Sequence, residues 1–261
     1  TSPLSYRHWF SSEKKKNEAI QKSTDHLMEV VEELVNIHQE TGKLLHLDIE
    51  PEPDGILENS DELISYFQKW LLPKGKVALA EKLGVSIDEA EKLIKTHIQA
   101  CYDVCHFAIV YENPADTFQK LSAAGIQIGK IQISAALKVM IPESMVERFT
   151  LSKRLEEFAE STYLHQVIAR KKDGQFASYP DLPQAIEHLG KTKDLEWRIH
   201  FHVPVFLDNY GSFQSTQSDI SLVLNQILSS QTLTNHLEVE TYTWEVLPED
   251  THLTLGESIA R

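Results

Sequence analysis

A chain of 261 residues with 41% hydrophobic content is long enough to bury a sizeable core, as one large α/β domain or two small ones. Its 25 basic side chains against 39 acidic ones leave a net charge of −14, which repels a phosphate backbone over most of the surface, so nucleic acid is not an expected partner. No apolar run approaches the roughly 18 residues of a membrane span, and two cysteines are too few for a disulfide framework, so no membrane insertion and a reduced, cytoplasmic setting are expected.

Residues 1 to 10 read as irregular. From Ser11 to about Gln39, Ile20, Leu27, Val30, Val31, Leu34 and Ile37 recur at helical spacing, and Gly42 supplies a stop. Residues 43 to 51 follow as a strand, ended by Pro51 and Pro53, neither of which can donate to a ladder. Asn59-Ser-Asp-Glu62 caps a helix to about Leu72, Pro73-Lys-Gly75 reads as a turn, and two further helical pieces follow, the last capped at Ser86. Residues 59 to 97 therefore form a helical insertion longer than one crossover needs.

Residues 98 to 105 read as a strand, Asn113-Pro-Ala-Asp116 starts a short helix closed by Gly125, and residues 128 to 134 form the next strand. Residues 142 to 158 read as helical. Residues 163 to 180 break the rhythm with a hairpin insertion turning at Asp173-Gly174. After a short helix from Asp181 come a strand at 197 to 204, a loop at 206 to 215, a helix at 216 to 229 and a strand at 236 to 244.

Five strands separated by helices predict parallel pairing, in an open doubly wound sheet or a (β/α)₈ barrel within a single domain. No glycine-rich dinucleotide or P-loop motif follows any of them. Alternate strand residues share a face, so Ile199, Phe201 and Val203 oppose Arg198, His200 and His202. Each strand carries a ligand-type residue near its carboxyl end: Glu50, Asp103 with His106, Gln132, His200 with His202, and Glu240. A lone strand-end Asp or His is a loop hydrogen-bonder, whereas five at one end point to a shared divalent metal. A mixed carboxylate, amide and imidazole set suits Mn²⁺, Mg²⁺, Co²⁺ or Zn²⁺. Such a cation polarises a substrate oxygen, and two flanking carboxylates can move protons, as aldose–ketose isomerisation or epimerisation requires.

Glu52 reads as part of a rigid turn beside Glu50, and Cys101 and Cys105 read as buried small apolar residues. Trp244 and Tyr242 are placed as pocket walls, with Trp244 contacting substrate.

Taken together, Leu47-Asp-Ile-Glu-Pro-Glu-Pro53, Tyr102-Asp-Val-Cys-His106, Arg198-Ile-His-Phe-His-Val-Pro204 and Glu240-Thr-Tyr-Thr-Trp244 resemble the xylose isomerase-like TIM barrels. These include sugar isomerases, sugar-phosphate epimerases and endonuclease IV, and the likeness is closest to the metabolite-traffic E proteins of the Ebo cluster. The resemblance implies an incomplete barrel in which strands 4 to 8 are present and strands 1 to 3 largely missing, so the chain is expected to be a piece of something longer. It implies metal ligands at Glu50, Asp103, Gln132 and Glu240. Glu50, Glu240 and His106 would be catalytic, and His200, His202 and Trp244 would bind substrate. The expected activity is a divalent-metal-dependent isomerase or epimerase of a small sugar-like hydroxycarbonyl compound. Alternatives are a non-catalytic metabolite-binding or traffic protein and a metal-dependent phosphoester hydrolase. Gln132, where several relatives have His, and the acidic net charge argue against a three-zinc nuclease.

Overall fold

The helical spacing of the first forty residues becomes α1 (Glu13–Thr41), which the Ser12 side chain caps by accepting from Lys15 N–H and which Gly42 ends at φ 71°. The computed structural model describes residues 2, 4–210, 213–229 and 233–240. It is a mixed α/β structure with parallel and antiparallel pairing, and it divides into two compact units. The described residues of unit 1 fall within 2–102, 115–131 and 233–237, and those of unit 2 within 103–114, 132–229 and 238–240.

In unit 1, α1 buries Ile20, Thr24, Leu27, Met28, Val31 and Val35, a stripe at three- and four-residue spacing. The strand β1 (Leu47–Ile49) follows, then α2 (Ser60–Tyr66), α3 (Leu72–Leu83), α4 (Ile87–His97) and β2 (Ile98–Asp103). Between α2 and α3 the chain does not turn at Pro73. A π-helical stretch, Phe67–Leu71, carries it through, with Leu72 N–H bonded to Phe67 O. The wider turn lets Pro73 enter at the first turn of α3, where its missing N–H leaves no helical bond unmade. Gly75 lies against α1 so closely that a Cβ would strike Met28 Sδ.

The chain passes through the short α5 (Val104–Ile109) of unit 2, then α6 (Pro114–Ala123), β3 (Ile128–Ile133) and, much later, β10 (Leu237–Val239). These strands make a four-stranded sheet in the order β1-β2-β3-β10. β1 and β2 run parallel with Asp48 opposite Gln99, and Ile49, Leu63, Phe67, Leu71, Leu79, Ile94 and Ile98 are buried in the core of this unit.

Unit 2 is organised by β7 (Asp194–His202), with β4 (Ala136–Met140), β5 (Val167–Lys171), β6 (Phe176–Tyr179), β8 (Asn209–Tyr210) and β9 (Phe213–Ser215) in the order β6-β5-β7-β4-β9-β8. Helices α7 (Met145–Leu155), α8 (Leu182–His188) and α9 (Gln217–Ser229) complete it. The expected parallel neighbours of the strand around residue 200 are not what forms. β7 pairs antiparallel with both β4 and β5. The alternation of strands and helices hid β4, which only two residues separate from β3, with no crossover helix between them. Its side chains alternate, Leu137 and Val139 buried and Lys138 and Met140 outward, as suits an antiparallel sheet with one wet face. Fully buried Trp197 donates Nε1–H to Asp194 at 2.8 Å, and Phe158 packs edge-on against Phe201 and Phe213. Among the described residues no helix is long and apolar enough to cross a membrane.

Candidate metal centre

Two local features of unit 2 place the ligand-type side chains. The first is a helix start: the strand expected through residue 105 stops at Asp103, whose side chain caps α5 by accepting from His106 N–H at 3.1 Å. Residues 104 and 105 are helical, and the first turn of α5 turns His106 into the unit. The second is a β-bulge. β7 pairs Ile199 with Leu137 but His202 with Ala136, so His200 and Phe201 are extra residues opposite one step of β4. The bulge re-aims two imidazoles that a regular strand would hold in simple alternation.

The result is a buried cluster. His106, His200 and His202 each offer a ring nitrogen, all within 4.8 Å of one another, and Asp103, Cys105 and His202 form a second such set. His106 Nε2 and His200 Nε2 lie 3.1 Å apart, and Asp103 Oδ2 is 4.0 Å from His106 Nε2. Asp103 Oδ1 accepts from the Ser134 hydroxyl at 2.7 Å, and Ser134 Oγ in turn accepts from Cys105 N–H at 2.9 Å. His200 Nδ1 is 2.8 Å from Gln166 Oε1, an acceptor, so the ring donates Nδ1–H there and its Nε2 carries the lone pair. His165 packs behind, with Nδ1 3.1 Å from the His200 carbonyl.

Electrostatics sort these groups. Burial, reinforced by neighbouring imidazoles, holds His200 well below the ordinary histidine range. Burial pushes His202 down to about 4, Asp103 opposing and His106 assisting. Both rings are therefore neutral at pH 7, the form that binds metals. Burial would raise Asp103, but His106, His202 and the Ser134 hydroxyl outweigh it and hold the carboxyl below the usual carboxylate range. Burial, with Asp103 and Glu240 adding negative charge, drives the Cys105 thiol well above its ordinary value.

These buried groups can hold a metal ion. With Zn–N bonds of 2.0–2.1 Å, neighbouring nitrogens of a tetrahedral site sit roughly 3.3 Å apart, close to the separation of the His106 and His200 nitrogens. Gln166 supplies the outer hydrogen bond that fixes tautomer and ring direction in such sites.

Comparison with protein-family models, curated proteins and solved structures returns no match.

Of the residues singled out in the sequence, Asp103, His106, Gln132, His200, His202 and Glu240 belong to unit 2. The Gln132 amide donates to the Glu240 carboxylate, and Glu240 N–H bonds to the Ile133 carbonyl. Glu50 belongs to unit 1, just past β1, where its carbonyl accepts from Ser2 Oγ at 2.9 Å. Trp244 and Tyr242 lie outside the described residues. Sequence reasoning missed Ser134 and Gln166 as partners of the cluster. The available signal was the polar pair His165-Gln166 set directly ahead of the apolar run Val167-Ile-Ala169, and in the structure both are buried.

Proposed function

We propose that unit 2 binds one divalent cation, of the zinc or cobalt kind, on His106, His200 and His202 beside Asp103, and that the protein is a metal-dependent isomerase or epimerase of a small hydroxycarbonyl compound. The observation that carries the proposal is the convergence of three buried imidazole nitrogens, two of them on rings held neutral, with one ring oriented from behind by Gln166. The imidazoles favour zinc or cobalt over magnesium or manganese. When bound, the cation supplies Lewis-acid polarisation of a carbonyl or hydroxyl oxygen.

The chain's own residues do the rest. Asp103, fully buried and anionic, balances the charge of the centre, and Ser134 fixes the direction of its carboxylate. Glu240, half-buried and hydrogen-bonded by Gln132, is the carboxylate assigned to carry a proton between adjacent carbons. The resemblance to xylose isomerase-like barrels belongs to this reading and supplies its substrate class.

The test is elemental analysis of the purified protein, followed by reaction of metal-loaded and EDTA-treated samples with aldoses and ketoses in deuterated water. About one zinc or cobalt per chain, with solvent deuterium entering carbon next to the carbonyl only in the loaded sample, is expected. Metal binding that survives His200→Ala, or deuterium incorporation that survives Glu240→Gln, overturns the corresponding half of the proposal.

A further inference from the structure

The amino-terminal ends of the four strands of unit 1 gather a set of polar groups that the metal centre does not use. His46 stands one residue before β1, Gln99 is second in β2, Gly129 is second in β3, and His236 stands one residue before β10. With Phe118, Gln127 and Asn235 they line a cavity of about 660 Å³, inside the range of small-molecule sites.

The cavity holds an oriented imidazole. His46 Nδ1 lies 2.7 Å from Asp48 Oδ1. Because a carboxylate oxygen accepts, the ring donates Nδ1–H there, which fixes its orientation. The two rings His46 and His236 meet edge to face with centroids 5.4 Å apart. Gly129 is what makes room: a Cβ there would overlap the Asp48 carboxylate and crowd His46 Nδ1. Thr234 ties the opposite wall down, donating Oγ–H to the Gly129 carbonyl at 2.7 Å and accepting from His236 N–H at 3.1 Å.

The lining also selects by charge. None of its lining residues is Lys, Arg, Asp or Glu, and the two charges that flank the wall are already engaged, Asp48 with His46 at 2.7 Å and Lys95 with Glu91 at 2.8 Å, so a charged ligand would have to compete for them. Amides, hydroxyls and imidazoles both donate and accept, and Phe118 adds a flat apolar wall. That combination suits a ring or chain whose hydroxyls point outward and whose C–H groups form a face.

We propose that unit 1 carries a binding site for an uncharged, hydroxyl-rich small molecule of the sugar or polyol class, held by His46, Asn235 and His236. The site does not depend on the metal centre, and its test is run so that the two are separable. The full chain, with and without EDTA, is titrated with D-glucose and sorbitol, and with glucose 6-phosphate and gluconate as charged controls, while the His46 and His236 imidazole signals are followed by NMR. Glucose or sorbitol should shift both signals with a dissociation constant on the order of millimolar, as suits a ligand of this size. EDTA should leave the binding unchanged. The charged compounds should bind at least tenfold more weakly, and His46→Ala should weaken glucose or sorbitol binding about tenfold. Gly129→Ala should do the same by displacing the His46–Asp48 pair; because that change also crowds β3, Asn235→Ala serves as the milder second variant. No shift with either neutral compound, tighter binding of the phosphorylated sugar, or full binding in both His46→Ala and Asn235→Ala overturns the proposal.

Discussion

Arg198 Nη1 donates to the Ala108 carbonyl at 2.6 Å, so the strand that carries His200 grips the end of the helix that carries His106. The same guanidinium donates Nε–H to Glu196 at 2.9 Å, sits 3.5 Å from Asp219 and lies 4.1 Å from the ring centre of Tyr111. Tyr111 holds φ 60°, a left-handed conformation that turns the chain after α5. Glu196 is buried, and burial would raise its carboxyl, but the Arg198 hydrogen bond and the nearby cations hold it below the usual range. Replacing Arg198 with Met keeps the stem and leaves Glu196 with Arg170 as its ion-pair partner among the described residues. Loss of about 3 kcal/mol of stability is expected, the scale for breaking a buried pair, measured by urea unfolding. Zinc affinity of the folded variant should also fall about tenfold, because α5 loses its anchor. Arg198→Lys restores charge without the planar fork and should recover stability more than affinity.

Gln166→Leu tests the outer hydrogen bond. Without an acceptor at Nδ1, the His200 ring loses the contact that fixes its tautomer, and zinc affinity should drop by about 10- to 100-fold. Competition with a chromogenic chelator reads this directly, and unchanged affinity would separate Gln166 from the centre.

Much of this arrangement was legible in the residues themselves. Asp103 with His106, and His200 with His202, stood out because ligand-type residues recurred at the carboxyl end of strand after strand. The helix caps at Asn59 and Ser86 were readable for a local reason: short polar side chains ahead of an apolar stripe. What escaped was non-local. The bulge at His200 and Phe201 depends on the partner strand β4, which no periodicity announced, and the antiparallel pairing of β7 follows from it. Likewise the helical passage through Pro73 rests on a π-helical stretch in which Phe67 and Leu71 are both buried. Pairing partners and packing, rather than propensity, decide these points.

Acid should destabilise the metal-free protein early. Unfolded His202 takes up a proton near 6.5, whereas burial lowers the folded value to about 4. Between those limits the unfolded chain holds more protons, so stability is full above pH 6.5 and falls as pH drops toward 4. At 1.36 kcal/mol per pH unit, His202 alone accounts for about 3 kcal/mol over that window. His200 and His97 are lowered for the same first cause, burial, and act in the same direction. Urea unfolding at stepped pH in EDTA checks the slope, which His202→Leu should flatten. Zinc should hold stability to lower pH, since a bound cation competes with the proton. A profile flat from pH 7 to 5 would contradict neutral buried rings.

The two ligand sets that share His202 make opposite predictions for sulfur. Cys105 is fully buried, and burial together with Asp103 and Glu240 keeps its thiol protonated far into the alkaline range. Ionising it beside two carboxylates is costly, whereas the imidazoles of His200 and His202 are neutral and ready. Cobalt should therefore bind without the near-ultraviolet charge-transfer band of a thiolate ligand. Cys105→Ala should keep cobalt affinity within a few-fold, while His200→Ala loses about a hundredfold or more, the range expected when a ligand's supporting contacts are already worth 10- to 100-fold. A strong thiolate band, lost in Cys105→Ala, would instead place the cation on Asp103, Cys105 and His202.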